Sequence, residues 1–102
     1  MPVKHVARLH FVCRGDMNVK DRGDRRFETG YWKVSVSHAQ TATMLALHES
    51  KSESSYRQGR IVSWRQENYN GSPRLVFIVE SIREPMEWEG GGSGEKGYAW
   101  EN

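Results

Sequence analysis

The sequence predicts a mainly β fold with one or two short helices, closed into a small barrel as a single domain over residues 1–102. Several short segments are rich in β-branched and aromatic residues, and clusters of glycine, serine and asparagine separate them, as is typical of small all-β domains. One dipeptide, Asn70-Gly71, is the strongest hairpin signal, because a tight primed turn requires positive φ at both central positions. A chain of this length buries about two-thirds of its unfolded surface, which is enough for one core.

The first segment, Val3–Cys13, alternates between two faces and predicts a central strand. The apolar face carries Leu9, Phe11 and Cys13, so we interpret the single cysteine as a small core residue rather than a nucleophile. The next segment, Arg14–Glu28, is polar and carries turn signals. It predicts a long loop, of a kind that is usually functional or mobile.

The middle of the chain predicts a strand, a short helix and another strand. Aromatic and β-branched residues favour a strand over Tyr31–Val36. Either Ser35 or Ser37 is a suitable N-cap for a helix over His38–Thr43, because a serine oxygen accepts the free amide hydrogens of the first turn. The apolar run Met44–His48 then predicts a third strand.

The second half predicts a hairpin and an edge strand. A serine-rich loop over Lys51–Gln58 leads to strands Arg60–Tyr69 and Arg74–Ser81, which we expect to pair antiparallel about the asparagine-glycine turn. Pro85 closes the second of these strands. Alternating aromatic residues near the C-terminus predict a last edge strand over Glu95–Trp100.

Charge is unevenly distributed along the chain. Residues 1–26 hold seven Lys and Arg against three Asp, whereas residues 73–102 hold three against six Glu. A basic N-terminal part suits contacts with phosphates and favours nucleic acid as a partner. An ordinary solvated surface explains the same asymmetry equally well.

Several classes of protein are not favoured by the sequence. No apolar run reaches the roughly 18 residues of a membrane span, and no signal-peptide pattern opens the chain, so we expect a cytoplasmic protein without a membrane partner. The four histidines show no metal-ligand spacing, and no cofactor or metal site is predicted. The glycine-rich run Gly90–Gly94 lacks the lysine-serine or lysine-threonine ending of a phosphate-binding P-loop.

The stretch from Gly30 to Ile82 resembles a PUA-like barrel of the EVE type. The matching features are Tyr31-Trp32, a helix over Ala39–Thr43, the segment Leu47-His48-Glu49-Ser50 and the glycine-led strand Gly59-Arg60-Ile61-Val62. This resemblance covers about half of the chain. It implies a small barrel that binds modified or flipped bases in DNA or RNA.

A flipped base is held by stacking on aromatic faces and by hydrogen bonds to its edge, and stacking contributes roughly 1–3 kcal/mol per base. We therefore predict a base pocket with stacking residues, a polar edge and nearby basic groups, formed by Trp32, Lys33, His48, Ser50, Lys51, Tyr56 and Trp64. The predicted contacts to the nucleic-acid backbone are Arg22, Arg25, Arg26, Arg57 and Arg60.

Simpler interpretations of these residues remain open. Trp32 and Trp64 are equally suited to the core, His48 to a structural role, and the arginines of the 22–26 segment to pairing with Asp21 and Asp24.

Two other function classes remain as alternatives. The related ASCH-type proteins include hydrolases that use a lysine and a glutamate, for which Glu95-Lys96, or Glu49 with Lys51, are candidates. A protein-interaction module would use the aromatic tail, namely Trp88, Tyr98 and Trp100. No catalytic residue is assigned, and neither the choice between RNA and DNA nor the oligomeric state follows from the sequence.

Overall fold

The structure is a computed structural model that describes residues 4–91 and 94–102. It contains one sheet of seven strands, one α-helix and a short 3-10 turn at Arg14–Asp16. In chain order the elements are β1 (His5–Val12), β2 (Val19–Gly23), β3 (Arg26–Trp32), α1 (Val36–Thr41), β4 (Met44–His48), β5 (Arg57–Tyr69), β6 (Ser72–Ser81) and β7 (Lys96–Glu101).

The strands follow the order β2-β3-β6-β5-β4-β1-β7 across the sheet. β1 and β4 run parallel, and all the other neighbouring pairs are antiparallel. The mainly β prediction is therefore confirmed. Within the part of the chain that the structure describes, β2 and β7 remain the two edges, so the hydrogen-bonded sheet does not close into the predicted barrel.

The sheet is nevertheless strongly curled. The ring of Phe11 on β1 stacks on that of Trp32 on β3, with 4.2 Å between the ring centroids, although three strands lie between β1 and β3 in the sheet. The concave face holds the core, because paired residues such as Leu9 and Leu45 point to the same side and are fully buried. Burial of these apolar side chains is the main force that keeps the sheet curled.

The other face of β1 and β4 is also buried. It carries His10 and His48, each with no exposed surface. Residues 82–91, which we call the covering segment, lie over this face and place Trp88 against both histidine rings. The backbone of Met86 exchanges hydrogen bonds with Ser55, which fixes the segment at its middle.

Local signals predicted several elements correctly. Asn70 and Gly71 have φ values of 51° and 80° and join β5 to β6, which confirms the predicted hairpin. Ser35, one of the two predicted caps, is the N-cap of α1, and its hydroxyl accepts the amide hydrogen of His38 at 3.3 Å, so the helix covers Val36–Thr41 rather than the predicted His38–Thr43. Met44–His48 is a strand with the predicted boundaries.

Two predicted elements are wrong. The segment Arg14–Glu28 is not a loop, since it contains the 3-10 turn, β2 and the beginning of β3. β2 is an edge strand with almost every residue exposed, so it needs no apolar alternation and gave no strand signal. The predicted strand Tyr31–Val36 ends after its second residue, since β3 finishes at Trp32 and Val36 already belongs to the helix that Ser35 caps.

Parts of two predictions lie outside the described residues, namely Val3 in the first strand and Gly92 and Ser93 in the glycine-rich run. Where the structure does describe the chain, it contains no helix with the length and apolar character needed to cross a membrane.

Candidate functional site

A buried network of charged and polar groups lies between the sheet and the covering segment. Parallel pairing of β1 with β4 puts His10 opposite Ala46 and Val12 opposite His48, so the two histidines are diagonal neighbours on one face. His10 Nδ1 and His48 Nε2 are 2.9 Å apart. His10 Nε2 lies 3.0 Å from Glu89 Oε1, and Arg8 donates to both oxygens of the same carboxylate at 2.7 and 2.8 Å.

The hydrogen bonds of this network depend on its proton count. His48 Nδ1 lies 2.8 Å from the carbonyl oxygen of Glu53, so this nitrogen must carry a hydrogen. Two neutral imidazole rings have one N–H group each. Three contacts each need a hydrogen, however: that of His48 with Glu53, that between the two rings, and that of His10 with Glu89. With both rings neutral, one of these three contacts therefore lacks a hydrogen.

Burial and the neighbouring charges oppose each other at this network. Burial lowers the pKa of His10 because a charged ring would lose its hydration, whereas the Glu89 carboxylate favours the charged form. The Arg8 guanidinium lowers the pKa of Glu89. Arg8 also donates to Glu101 at 2.5 Å, and Lys51 lies over the Trp88 ring, so further charges face the pair from both sides.

We expect stability to fall as the pH drops below about 6.5, the usual histidine pKa. Below that pH the unfolded His10 takes up a proton that the folded ring, with its lowered pKa, does not, and this favours the unfolded state. Glu89, whose pKa is also lowered, adds a further loss below its usual value of 4.5. Urea denaturation from about pH 8 to about pH 4 measures this dependence.

The His10→Gln variant is the comparison, and its stability should vary less between pH 7 and 5 because the perturbed ring is gone. A stability that rises in mild acid would contradict the expectation and would show that the pair holds its third proton in the folded state.

A second feature is an open groove of about 320 Å³ at the end of the sheet where β1 and β3 finish. Its walls include three aromatic residues, Tyr31, Trp32 and Tyr69. The two tyrosine rings stack with centroids 4.6 Å apart and planes 12° apart, and Trp32 is held by its stack on Phe11. Trp32 Nε1 also donates to Thr29 Oγ1 at 3.0 Å. The aromatic wall is therefore fixed before any ligand arrives.

Polar groups complete the groove. Asn18 lines it with an exposed side chain, and Arg14 lines it together with Glu95, to which it donates at 3.3 Å. A cavity of this size, with aromatic walls and a few polar groups at its rim, suits one flat heterocycle that needs both stacking and hydrogen bonds at its edge.

The structure brings only part of the predicted ligand set to this groove. Trp32 lines it, and Lys33 follows directly in sequence. His48 is fully buried in the histidine network, and Ser50 donates to Glu53 Oε2 at 3.1 Å. Trp64 is half-buried and packs against the core.

The two remaining predicted ligands also lie outside the groove. Lys51 contacts the Trp88 ring face, with 5.7 Å from Nζ to the centroid. Tyr56 lines a separate concavity of about 370 Å³ and donates to the carbonyl oxygen of Cys13 at 2.5 Å. Burial raises the pKa of Tyr56, so its hydroxyl keeps the hydrogen for this bond.

The predicted backbone-contacting arginines separate into three places. Arg57 is engaged by Asp16 and Asp21 at 2.9 and 3.0 Å, and Arg22 pairs with Glu28 at 2.9 Å.

The other three arginines lie together. Arg60 pairs with Glu80 at 2.9 Å, and the charges of Arg25 and Arg26 also lower the pKa of Glu80. The charges of all three arginines therefore act on one carboxylate.

Sequence reasoning missed most of the residues that form both features. His10 and His48 are 38 positions apart, and only the parallel pairing of β1 with β4 brings them together. Tyr69 directly precedes the hairpin turn, and Tyr31 directly precedes Trp32. The sequence therefore shows two aromatic residues at these positions, but it does not show that their rings stack. Across the described ranges no group of three potential ligands is placed to hold a metal ion.

Comparison of the chain with protein-family models, with curated proteins and with solved structures finds no match.

Proposed function

We propose that this protein binds nucleic acid by accepting one unpaired or flipped base, modified or not, in the groove between Trp32, Tyr31 and Tyr69. The observation that carries the proposal is the preformed aromatic wall around a groove of about 320 Å³. Any base presents a π face for stacking, and the polar rim with Asn18 and Glu95 offers partners for the donors and acceptors at a base edge.

The proposal keeps the PUA-like resemblance as its working hypothesis for fold and ligand class. The curled sheet and the stack of Phe11 on Trp32 support it, because they bring distant strands together around a common core, as a barrel does. Of the predicted ligands, Trp32 keeps its stacking role, while Asn18 and Glu95 take the base-edge role that His48 and Ser50 were predicted to have.

The test is a titration of labelled single-stranded DNA and RNA, with and without modified bases, at low salt. We expect Tyr69→Ala to weaken binding by roughly 5- to 150-fold, which corresponds to the roughly 1–3 kcal/mol of one lost stack. Tyr69 is 40% exposed at the end of the hairpin, so the fold should persist in this variant.

Trp100→Ala is the matched control, since Trp100 is also an exposed aromatic residue, 50% accessible, but lies outside the groove. Equal losses in the two variants would refute the groove as the binding site. Failure of every oligonucleotide to bind the unaltered protein would refute the function itself.

A second candidate, a small hydrolase acting on a modified nucleoside, is favoured by one observation. Glu95 lines the groove and Lys96 follows it, and burial together with the neighbouring cations lowers the pKa of Lys96, as a catalytic lysine requires. Mass spectrometry of a modified-nucleoside panel would detect the product. A hydrolase should lose turnover in Lys96→Arg while retaining binding.

The interaction-module alternative has less support. Trp100 is exposed, but Trp88 packs on the histidine pair and Tyr98 packs against the core, so the three residues do not share one open surface.

A further inference from the structure

Three cations lie near one another just beyond the end of β3. Lys96 Nζ donates to the carbonyl oxygen of Lys33 at 2.5 Å, which joins the beginning of β7 to the end of β3. Lys33 follows Trp32 in the sequence. Trp32 pairs with Leu75 of β6, and Arg74 is the residue that directly precedes Leu75. The charges of Lys33 and Arg74 both act on the Lys96 ammonium, so the three side chains lie within electrostatic reach of one another.

In the described part of the chain no carboxylate lies within salt-bridge distance of Lys33, Arg74 or Lys96. Glu67 pairs with Arg74 in the strand register, but its carboxylate contacts Arg65 instead. Most other arginines differ in this respect, since Arg8 and Arg57, for example, each contact two carboxylates. A group of like charges without a counter-ion repels itself and is stabilised when an anion binds among them.

Two of the three cations are sequence neighbours of residues that line the groove. Lys33 is adjacent in sequence to Trp32, and Lys96 is adjacent to Glu95, and both of these neighbours line the groove. In a nucleic-acid strand each base is linked through its sugar to a phosphodiester, which is an anion. Cations close to the aromatic wall are therefore suited to contact the phosphodiester of a nucleotide whose base stacks there.

We propose that Lys33, Arg74 and Lys96 form a phosphate-binding subsite for the strand whose base occupies the groove. This inference rests on the proposed function and specifies its ligand as a nucleotide within a strand rather than a free nucleoside. It also assigns the main contact with the nucleic-acid backbone to these three cations instead of Arg22 and Arg57, because the charges of those two arginines are already paired within the protein.

The lowered pKa of Lys96 agrees with this assignment. Burial and two neighbouring cations disfavour the charged ammonium in the free protein. A bound phosphate would reverse the effect of the cations, so binding should be accompanied by proton uptake at alkaline pH.

The experiment separates phosphate contacts from base contacts. An abasic single-stranded oligonucleotide, which has the phosphate backbone but no bases, and a free nucleoside are each titrated with the unaltered protein and with Lys33→Gln, Arg74→Gln and Lys96→Gln. We expect each substitution to weaken binding of the abasic strand and to lower the slope of log affinity against log salt by about 0.7, the value for one lost contact on a single strand. Nucleoside binding should not change.

Arg83→Gln is the matched control, because it removes one exposed positive charge beyond the other end of β6. Equal slope changes in this control and in the three variants, or no change in the three, would overturn the subsite. Loss of nucleoside binding in Tyr69→Ala together with unaltered slopes in the cation variants would leave the groove standing and refute only the subsite. Binding of the abasic strand without any nucleoside binding would support the subsite and refute the groove.

Discussion

Replacing His48 with alanine is expected to destabilise the protein by roughly 3–5 kcal/mol, the range for deleting a large buried side chain. His48 has no exposed surface and contacts His10, Trp88 and the carbonyl oxygen of Glu53. Its removal leaves a cavity under the covering segment, and it leaves Nδ1 of the buried His10 ring without its partner. Each unsatisfied buried group costs about 1–3 kcal/mol, so the two effects act together.

Urea denaturation measures the loss, and Glu49→Ala is the control because its exposed neighbouring side chain should contribute no more than about 0.5 kcal/mol. A double-mutant cycle with His10→Ala tests the pair itself. The double variant should lose less than the sum of the single losses, because both single changes break the same contact. Strict additivity would show that the rings do not interact.

Replacing Gly59 with alanine should cost about 3 kcal/mol, at the upper end for overpacking. A Cβ atom at this position would lie 1.9 Å from the carbonyl oxygen of Glu80 and 2.9 Å from Cα of Ser81. All of the nearest atoms belong to the backbone of β6, so no side chain can turn away to make room. The added methyl group would push β5 and β6 apart where Gly59 pairs with Ser81.

Gly91→Ala is the matched control, since a Cβ atom there meets nothing within 4 Å. Thermal or urea denaturation should separate the two variants clearly. Equal stability of the two would mean that β5 and β6 do not approach each other this closely in solution.

The sequence by itself determined the features that depend on neighbouring residues. Asn70-Gly71 specified the hairpin because only residues that tolerate positive φ suit its turn. A serine cap indicated a helix in this region, although the sequence did not choose between Ser35 and Ser37, and alternation specified β1. Aromatic and basic residues near Trp32 indicated a stacking site for a base, which remains a proposal.

Only the tertiary structure decided which distant residues meet. Parallel pairing of β1 with β4 buries His10 against His48, and the covering segment adds Glu89, none of which any local pattern specifies. The polar strand β2 forms because β3 provides a hydrogen-bonding edge, and of its side chains only Val19 packs against the core. The groove exists because the sheet curls until β1 meets β3, and that curl is set by the packing of the whole concave face. Contacts of this kind depend on the summed burial of many side chains, so they cannot be read from any single stretch of the chain.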